Sequence, residues 1–400
     1  MGDKLSKFFE SYLEKKSIFI NKKALQSNYT PETIPHRDEQ IEQLASILAP
    51  VLRNEKPSNV FIYGKTGTGK TCVSQHVMDQ IFTISNKKNL KLKYYYLNCK
   101  LKKVADTEYR LMAQLARAFG KEVPATGLPT EEVYKTFVNA VDTEKQLVIL
   151  VLDEIDQLVN RTGDGILYNL TRLNSELKKC QLSLIGISND LMFLDNVDPR
   201  IKSSLSEEEL IFPPYNAIQL QDILKQRAKL AFKEGLFEDG VIEKCAAFAA
   251  REHGDARRAL ELLRVAGELA ERKNDIKIRI EHIDEADEKI ERDRILDAVR
   301  TQPKQFQITL FSILNVCDKD NKIFTGEVYD FYRKICNQVN FKPLTQRRVS
   351  DIIAEFDMLG IINSKVISKG RYGRTREISV AIHPSTFPKI KEILKDGLGL

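Results

Sequence analysis

No run of apolar residues in this 400-residue sequence approaches the roughly 18 that span a bilayer. The charged opening from Met1 to Glu14 has neither an apolar h-region nor a small-residue cleavage site. Together these absences predict a cytoplasmic protein with no membrane partner. Six cysteines, at 72, 99, 180, 245, 317 and 336, include no CxxC pair, and the five histidines are scattered. A disulfide framework and a Cys/His metal centre are therefore not expected, and the thiols read as reduced. Internal repeats and low-complexity segments are also missing. With 42% apolar and 30% charged residues, the composition is that of a globular chain of roughly two or three domains.

An excess of positive charge is absent from the first 300 residues, where 46 Lys and Arg face 46 Asp and Glu. The last hundred carry 16 against 10, so the whole net charge of +6 lies there. That asymmetry points to a C-terminal module that meets a polyanion.

Apolar runs at Asn59–Tyr63, Lys93–Asn98, Gln146–Leu152 and Leu182–Ser188 read as strands. Helical segments such as Glu108–Phe119 and Ile166–Lys178 alternate with them, which predicts a parallel sheet covered on both faces. From Pro213 the strand signal disappears, and helices follow one another at Ala217–Glu234, Gly240–His253 and Ala256–Lys273. After Pro303 come helices near Gln305–Cys317, Thr325–Gln338 and Thr345–Leu359, then β runs around Lys365–Ser368 and Thr375–Ile382. The expected division is an α/β base over 1–212, a helical domain over 213–295 and a third domain over 296–400.

Gly64-Lys65-Thr66-Gly67-Thr68-Gly69-Lys70-Thr71 matches GxxxxGK[ST] and sits between a strand and a helix, as that motif requires. Glycines let backbone N–H groups turn in around phosphates, and the helix N-terminus adds its positive dipole end. Lys70 is expected to reach the β and γ phosphates of ATP or ADP and Thr71 to ligate Mg²⁺. In LVILVLDEID, residues 147–156, a buried strand ends in acids at the sheet edge where ligands of open α/β sheets bind. Asp153 would hold the metal and Glu154 would polarise the attacking water. The third strand ends at Asn189, which can orient that water, although Asn189-Asp190 alone also reads as a turn.

These motifs, with the asparagine of GISND (186–190), DPRIKSSL (198–205) and GDARRALELLRVAGELAE (254–271), resemble the AAA+ replication initiators of archaea. Those are relatives of the eukaryotic origin recognition complex and Cdc-type loaders. IPHRDEQI (34–41), YLNCK (96–100) and PPYNAIQL (213–220) match as well, in order, from about Ser17 onward. The resemblance implies an AAA+ P-loop NTPase with a helical lid and a C-terminal winged helix: a slow, Mg²⁺-dependent ATPase. It also implies origin recognition on double-stranded DNA, recruitment or loading of the replicative helicase, other initiator subunits as partners, and association with the nucleoid. Carried over by residue, Asn189 is the first sensor, Arg200 a finger acting on a neighbouring subunit, and Arg257 the second sensor on the lid, with Arg258 as its substitute. His36, Arg37 and Tyr215 are placed near the nucleotide on the same ground. A further helical insertion after the second strand, its turn at 123–130, is implied to touch DNA; read from the residues alone, two prolines and a glycine there make a loop.

In the last domain, Val349, Ile352, Ile353, Phe356 and Leu359 follow i, i+3, i+4, i+7 spacing and form one stripe. Arg347, Ser350 and Ala354 lie opposite, with Gln346 on the flank. Thr345 suits an N-cap and Gly360 a C-terminal stop. The two β runs are joined by the basic segment Lys369, Gly370, Arg371, Tyr372, Gly373, Arg374. This pattern predicts a winged helix that sets its recognition helix in the major groove and its wing on phosphate or the minor groove. Winged helices also bind proteins, so a transcription regulator is the competing reading. A clamp-loader-like motor fits less well because this chain ends in a wing.

Overall fold

The computed structural model describes residues 17–26, 29–100, 107–124, 126–317, 323–368, 374–382 and 386–400. It divides into two compact units that meet in sequence at Ile283 and Asp284.

The first unit opens with α1 (Asp38–Leu48), β1 (Val60–Tyr63), α2 (Lys70–Lys87) and β2 (Leu92–Asn98). Helices α3 (Glu108–Ala118) and α4 (Thr130–Val141) follow, then β3 (Gln146–Asp153), α5 (Ile155–Thr162), α6 (Gly165–Arg172), β4 (Cys180–Ser188), α7 (Pro199–Leu205) and β5 (Glu208–Ile211). All five strands are parallel, in the order β2-β3-β4-β1-β5. Alternation along the central strand divides the core. Leu147, Ile149 and Val151 pack with Val60, Ile62 and the buried face of α2, whereas Val148, Leu150 and Leu152 pack with Phe61 and α3 to α7. β3 is buried along its whole length, as a central parallel strand covered on both faces must be.

Two departures from the sequence reading have local causes. β5 is a fifth strand hidden in the charged stretch Glu208–Ile211: it is an edge strand with only Leu210 buried, so no hydrophobic run marks it. The helix expected over Ile166–Lys178 stops at Arg172 and passes into a tight turn, Leu173–Ser175. There the Asn174 side chain brackets the Leu182 backbone, donating to its carbonyl and accepting from its N–H, both at 2.7 Å. The stretch at 123–130 connects α3 to α4, and Ala125 lies outside the described residues. Val123 is buried there, its carbonyl held by Arg117 and that of Pro124 by the Tyr109 hydroxyl at 2.8 Å.

The lid part comprises α8 (Ala217–Ala231), α9 (Val241–Arg251) and α10 (Ala256–Lys273). α8 begins with a capping box between Asn216 and Gln219 and ends where Phe232 turns extended to pair with Phe19. The 22-residue α11 (Ile280–Thr301) spans both the junction between units and the boundary expected at 295.

The second unit holds α12 (Lys304–Val316), β6 (Ile323–Phe324), α13 (Thr325–Gln338), α14 (Gln346–Met358), β7 (Ile362–Ser368), β8 (Arg374–Val380) and α15 (Phe387–Leu398). Its sheet, β6-β8-β7, is antiparallel. Val349, Ile352, Ile353 and Phe356 are fully buried. Leu359, expected to continue their stripe, is 39% exposed because the helix has already ended and Gly360, at φ 70°, turns the chain. β6 is too short for periodicity to reveal, and α15 was not anticipated.

Candidate functional site: a phosphate loop beneath a helical lid

The loop after β1, Asp153 at the end of β3 and Asn189 after β4 all emerge at the carboxyl edge of the sheet. They meet because β4 lies between β1 and β3, with Tyr63 opposite Ser188 and Asp153 opposite Ile187. Lys70 Nζ donates to the carbonyls of Gly64 (2.7 Å) and Lys65 (2.8 Å) and to Asn189 Oδ1 (2.9 Å). Burial pulls its ammonium down to about 8, against the pull of Asp153, and the Arg257 charge adds to the lowering. The Thr71 hydroxyl donates to Asp153 Oδ2 at 2.8 Å, and the Tyr96 phenol donates to the same oxygen. Asp153 Oδ1 accepts from the Glu154 N–H at 2.9 Å.

Glu154 stands at φ 54°, ψ 46°, a left-handed conformation that a non-glycine residue adopts at a cost of about 1–3 kcal/mol. Its carboxylate is paired with Lys100, whose Nζ lies 3.6 Å from Oε2. Asp156, behind the site, accepts from Ser188 Oγ at 3.1 Å and from the Asn189 N–H, which holds the turn after β4.

The loop is braced from outside. Arg37 is 2% exposed, its Nε donates to the Thr68 carbonyl at 2.9 Å, and Nη2 reaches the Pro213 carbonyl. Its guanidinium lies over the Tyr215 ring, 3.9 Å from the centroid. Gly67 has φ 73°, and a Cβ there would stand 1.7 Å from Asp255 Oδ1. Asp255 caps α10 by accepting from the N–H groups of Arg257 and Arg258, and the Ala256 N–H donates to the Gly67 carbonyl at 3.2 Å. The lid helix thus starts directly on the phosphate loop.

A cavity of about 700 Å³ lies above this constellation. Of the expected residues it is lined by Gly67 to Thr71, Asp153, Glu154, Asn189, Tyr215 and Arg257, and Cys72 and Tyr96 join them. Gly64, Lys65 and Thr66 do not line it: Gly64 is buried with its carbonyl on Lys70, while Lys65 and Thr66 are exposed and Lys65 Nζ approaches His253 Nδ1 at 3.4 Å. His36 and Arg37 do not line the cavity: His36 Nε2 is paired with Asp222 of the lid at 3.0 Å, and Arg37 acts through the Thr68 carbonyl. Of the two adjacent arginines, Arg257 faces the cavity while Arg258 Nε is bonded to Glu252 at 3.0 Å. Arg200 lies elsewhere, 66% exposed on α7 and held by both oxygens of Asp198.

Sequence reasoning missed much of the cavity wall: Tyr29 to Pro35, Ile223, Arg227 and Leu260. Tyr29 and Arg227 are nearly 200 residues apart and share no motif, so only the fold brings them together. Among the described residues no group of three His, Cys, Asp or Glu could hold a metal by itself. The oxygen pair Thr71 and Asp153 has the hard-donor chemistry of Mg²⁺, which ordinarily takes few protein ligands and completes its shell with phosphate and water.

In the second unit Gln346 and Arg347 are exposed on the first turn of α14, behind the Thr345 cap. Ser350 is half-buried, and its Oγ accepts from Arg376 Nε of β8 at 3.3 Å, which ties the helix to the wing sheet. Lys369, Arg371 and Tyr372 lie outside the described residues, and of Arg374 only the backbone, at the start of β8, is described.

Three family models match this chain: an AAA domain over residues 53–192, a Cdc6 AAA+ ATPase-type lid domain over 221–288, and the C-terminal winged helix domain of CDC6 over 297–389. They define the class: an AAA+ ATPase-type, nucleotide-binding base followed by a Cdc6-type lid and a winged helix. The ORC1-type DNA replication protein of Thermococcus onnurineus is 52% identical over 397 residues, covering 98% of this chain and 94% of the relative. ORC1-type DNA replication protein 1 of Methanosarcina acetivorans is 53% identical over 381 residues, with 94% and 91% covered. Among solved structures, the Aeropyrum pernix ORC1 protein in complex with DNA superposes with a TM-score of 0.85 at 44% identity, covering 96% of this chain and 98% of that one. This chain belongs to the family of ORC1-type DNA replication proteins. The resemblance drawn from its motifs, and the α/β fold with lid and winged helix that it implied, are borne out.

Proposed function

We propose that the protein is an ATP-switched initiator that binds origin double-stranded DNA through its winged helix and helps to recruit or load the replicative helicase. Slow Mg²⁺-dependent hydrolysis turns the switch. The observation that carries this reading is the closed constellation of Lys70, Asn189, Thr71 and Asp153 at one sheet edge, in a chain whose 44%-identical relative was solved on DNA. Bound Mg²⁺ would be held by Thr71 and Asp153 and would supply charge neutralisation at the phosphates. Lys70 would hold phosphate oxygens and Asn189 would place the water. Glu154 would take that water's proton, and Arg257 would report nucleotide state from the lid. We place the boundaries at 1–212, 213–295 and 296–400, and the protein in the cytoplasm with the nucleoid. Genome-wide footprinting in its own cells tests the reading: occupancy of repeats at replication origins is expected, and occupancy confined to promoters would instead make it a transcription regulator.

Arg200 bears on how subunits cooperate. It is pinned to Asp198 and lies outside the cavity, so Arg200→Ala is expected to leave the monomer's ATP affinity within about twofold while lowering any hydrolysis that appears when subunits assemble on DNA. Equilibrium binding on the monomer and turnover on DNA-bound protein separate the two. A collapse of monomer affinity would place Arg200 in its own subunit's site.

A further inference from the structure

Arg227 of α8 lines the same cavity as the phosphate loop, from the lid side. It is only 9% exposed, and its Nη1 is sealed from solvent without a hydrogen-bond partner among the described residues. The guanidinium lies over the Tyr29 ring, 4.6 Å from its centroid. A buried cation with unfilled donors is an expensive feature, and an apolar side chain of the same length would pack there at lower cost. The cavity wall it belongs to includes Thr71, Cys72 and Gln75 of α2 together with Ile223 and Gln226 of α8.

Cys72 stands in the first turn of α2, where the backbone N–H groups of a phosphate loop face the inner phosphates rather than the terminal one. A planar guanidinium is the side chain best matched to phosphate oxygens, and stacking on Tyr29 fixes its plane before the ligand arrives. We propose that Arg227 is a second, lid-borne nucleotide-binding residue that donates to the inner phosphates and so recognises the part that ATP and ADP share. This rests on the reading of the cavity as a nucleotide site.

Three variants test it, Arg227→Met, Arg227→Lys and Arg227→Gln, each measured by calorimetric titration with ADP and with ATP and by thermal unfolding without nucleotide. Arg227→Met is expected to weaken ADP and ATP by the same factor, about tenfold or more, without lowering the melting temperature of the nucleotide-free protein. Arg227→Lys should fall between it and the parent. Unchanged affinities with a lower nucleotide-free melting temperature would reduce Arg227 to a structural partner of Tyr29 and overturn the proposal. A loss confined to ATP would overturn it too, by moving the contact to the terminal phosphate. If Arg227→Met does not fold, the same two comparisons are made on Arg227→Gln. A parent protein that binds neither nucleotide would sink the site reading itself, a result distinct from parent-like affinities in the variants.

Discussion

Lys70→Ala should weaken ATP and ADP binding by about 100-fold or more, whereas Glu154→Gln should bind both as the parent does and hold ATP unhydrolysed. The first expectation follows from where Lys70 Nζ sits. Its three donors reach the Gly64 and Lys65 carbonyls and Asn189 Oδ1, so the loop is wrapped around the ammonium. A hydrogen bond to a charged partner contributes roughly 1.5–3 kcal/mol, and two such contacts to phosphate give the stated factor. Glu154 touches neither Lys70 nor Thr71. Its carboxylate is turned to Lys100, and glutamine keeps its size in the left-handed position. Equal loss of binding in both variants, read by titration, would contradict this division of labour.

The same lysine gives the site a pH signature. Burial holds it at about 8 in the folded chain, below the ordinary 10.5, so the unfolded chain binds more protons in that interval. The contribution of Lys70 to stability therefore rises with pH from about 8 to 10.5 and is lost as pH falls through 8. Phosphate reverses the sign by favouring the charged form. Nucleotide binding near pH 9 should accordingly take up a proton, visible as binding heats that change with the ionisation enthalpy of the buffer, and Lys70→Ala should abolish that dependence.

What the sequence could show was chemistry that is local in the chain. Gly64 to Thr71 is contiguous, and its flanking strand and helix are short-range patterns. LVILVLDEID announces both a buried strand and the acids at its end. The buried stripe of α14 was equally legible, up to the single error at Leu359, where helix periodicity runs on past a C-cap that the following glycine imposes. What stayed hidden depends on distance in sequence. Asp255 against Gly67, Tyr29 beneath Arg227, and Arg376 on Ser350 are contacts between segments with no shared motif. β5 was hidden for another reason: an edge strand with one buried side chain has no hydrophobic signature to read. Arg37 illustrates an intermediate case, where the motif pointed to the right neighbourhood but only the fold shows that the side chain grips the phosphate loop's backbone from behind.

Arg347→Ala should cut the ratio of specific to random-duplex affinity by roughly 5- to 150-fold, the equivalent of about 1–3 kcal/mol for one bidentate contact with guanine. Three features of the helix single out this side chain. It is exposed on the first turn of α14, the end of a recognition helix that meets base edges. Its neighbour Arg348 is engaged with Asp351 at 3.8 Å, whereas Arg347 makes no ion pair among the described residues. Ser350, one turn further, already accepts from Arg376, so its hydroxyl serves the packing of helix on wing. Ser350→Ala should therefore disturb the seating of Arg376 and change base preference less than Arg347→Ala does. Arg371, in the basic segment between β7 and β8, provides the contrast. A phosphate contact carries no sequence information, so Arg371→Ala should weaken specific and random duplexes alike and reduce the salt slope by about one unit. Titrations of each variant on origin-repeat and scrambled duplexes at several salt concentrations distinguish these outcomes. If Arg347→Ala weakened both duplexes equally and flattened the salt slope, its guanidinium would be a phosphate contact, and base reading would have to come from Gln346 or from the shape of the duplex itself.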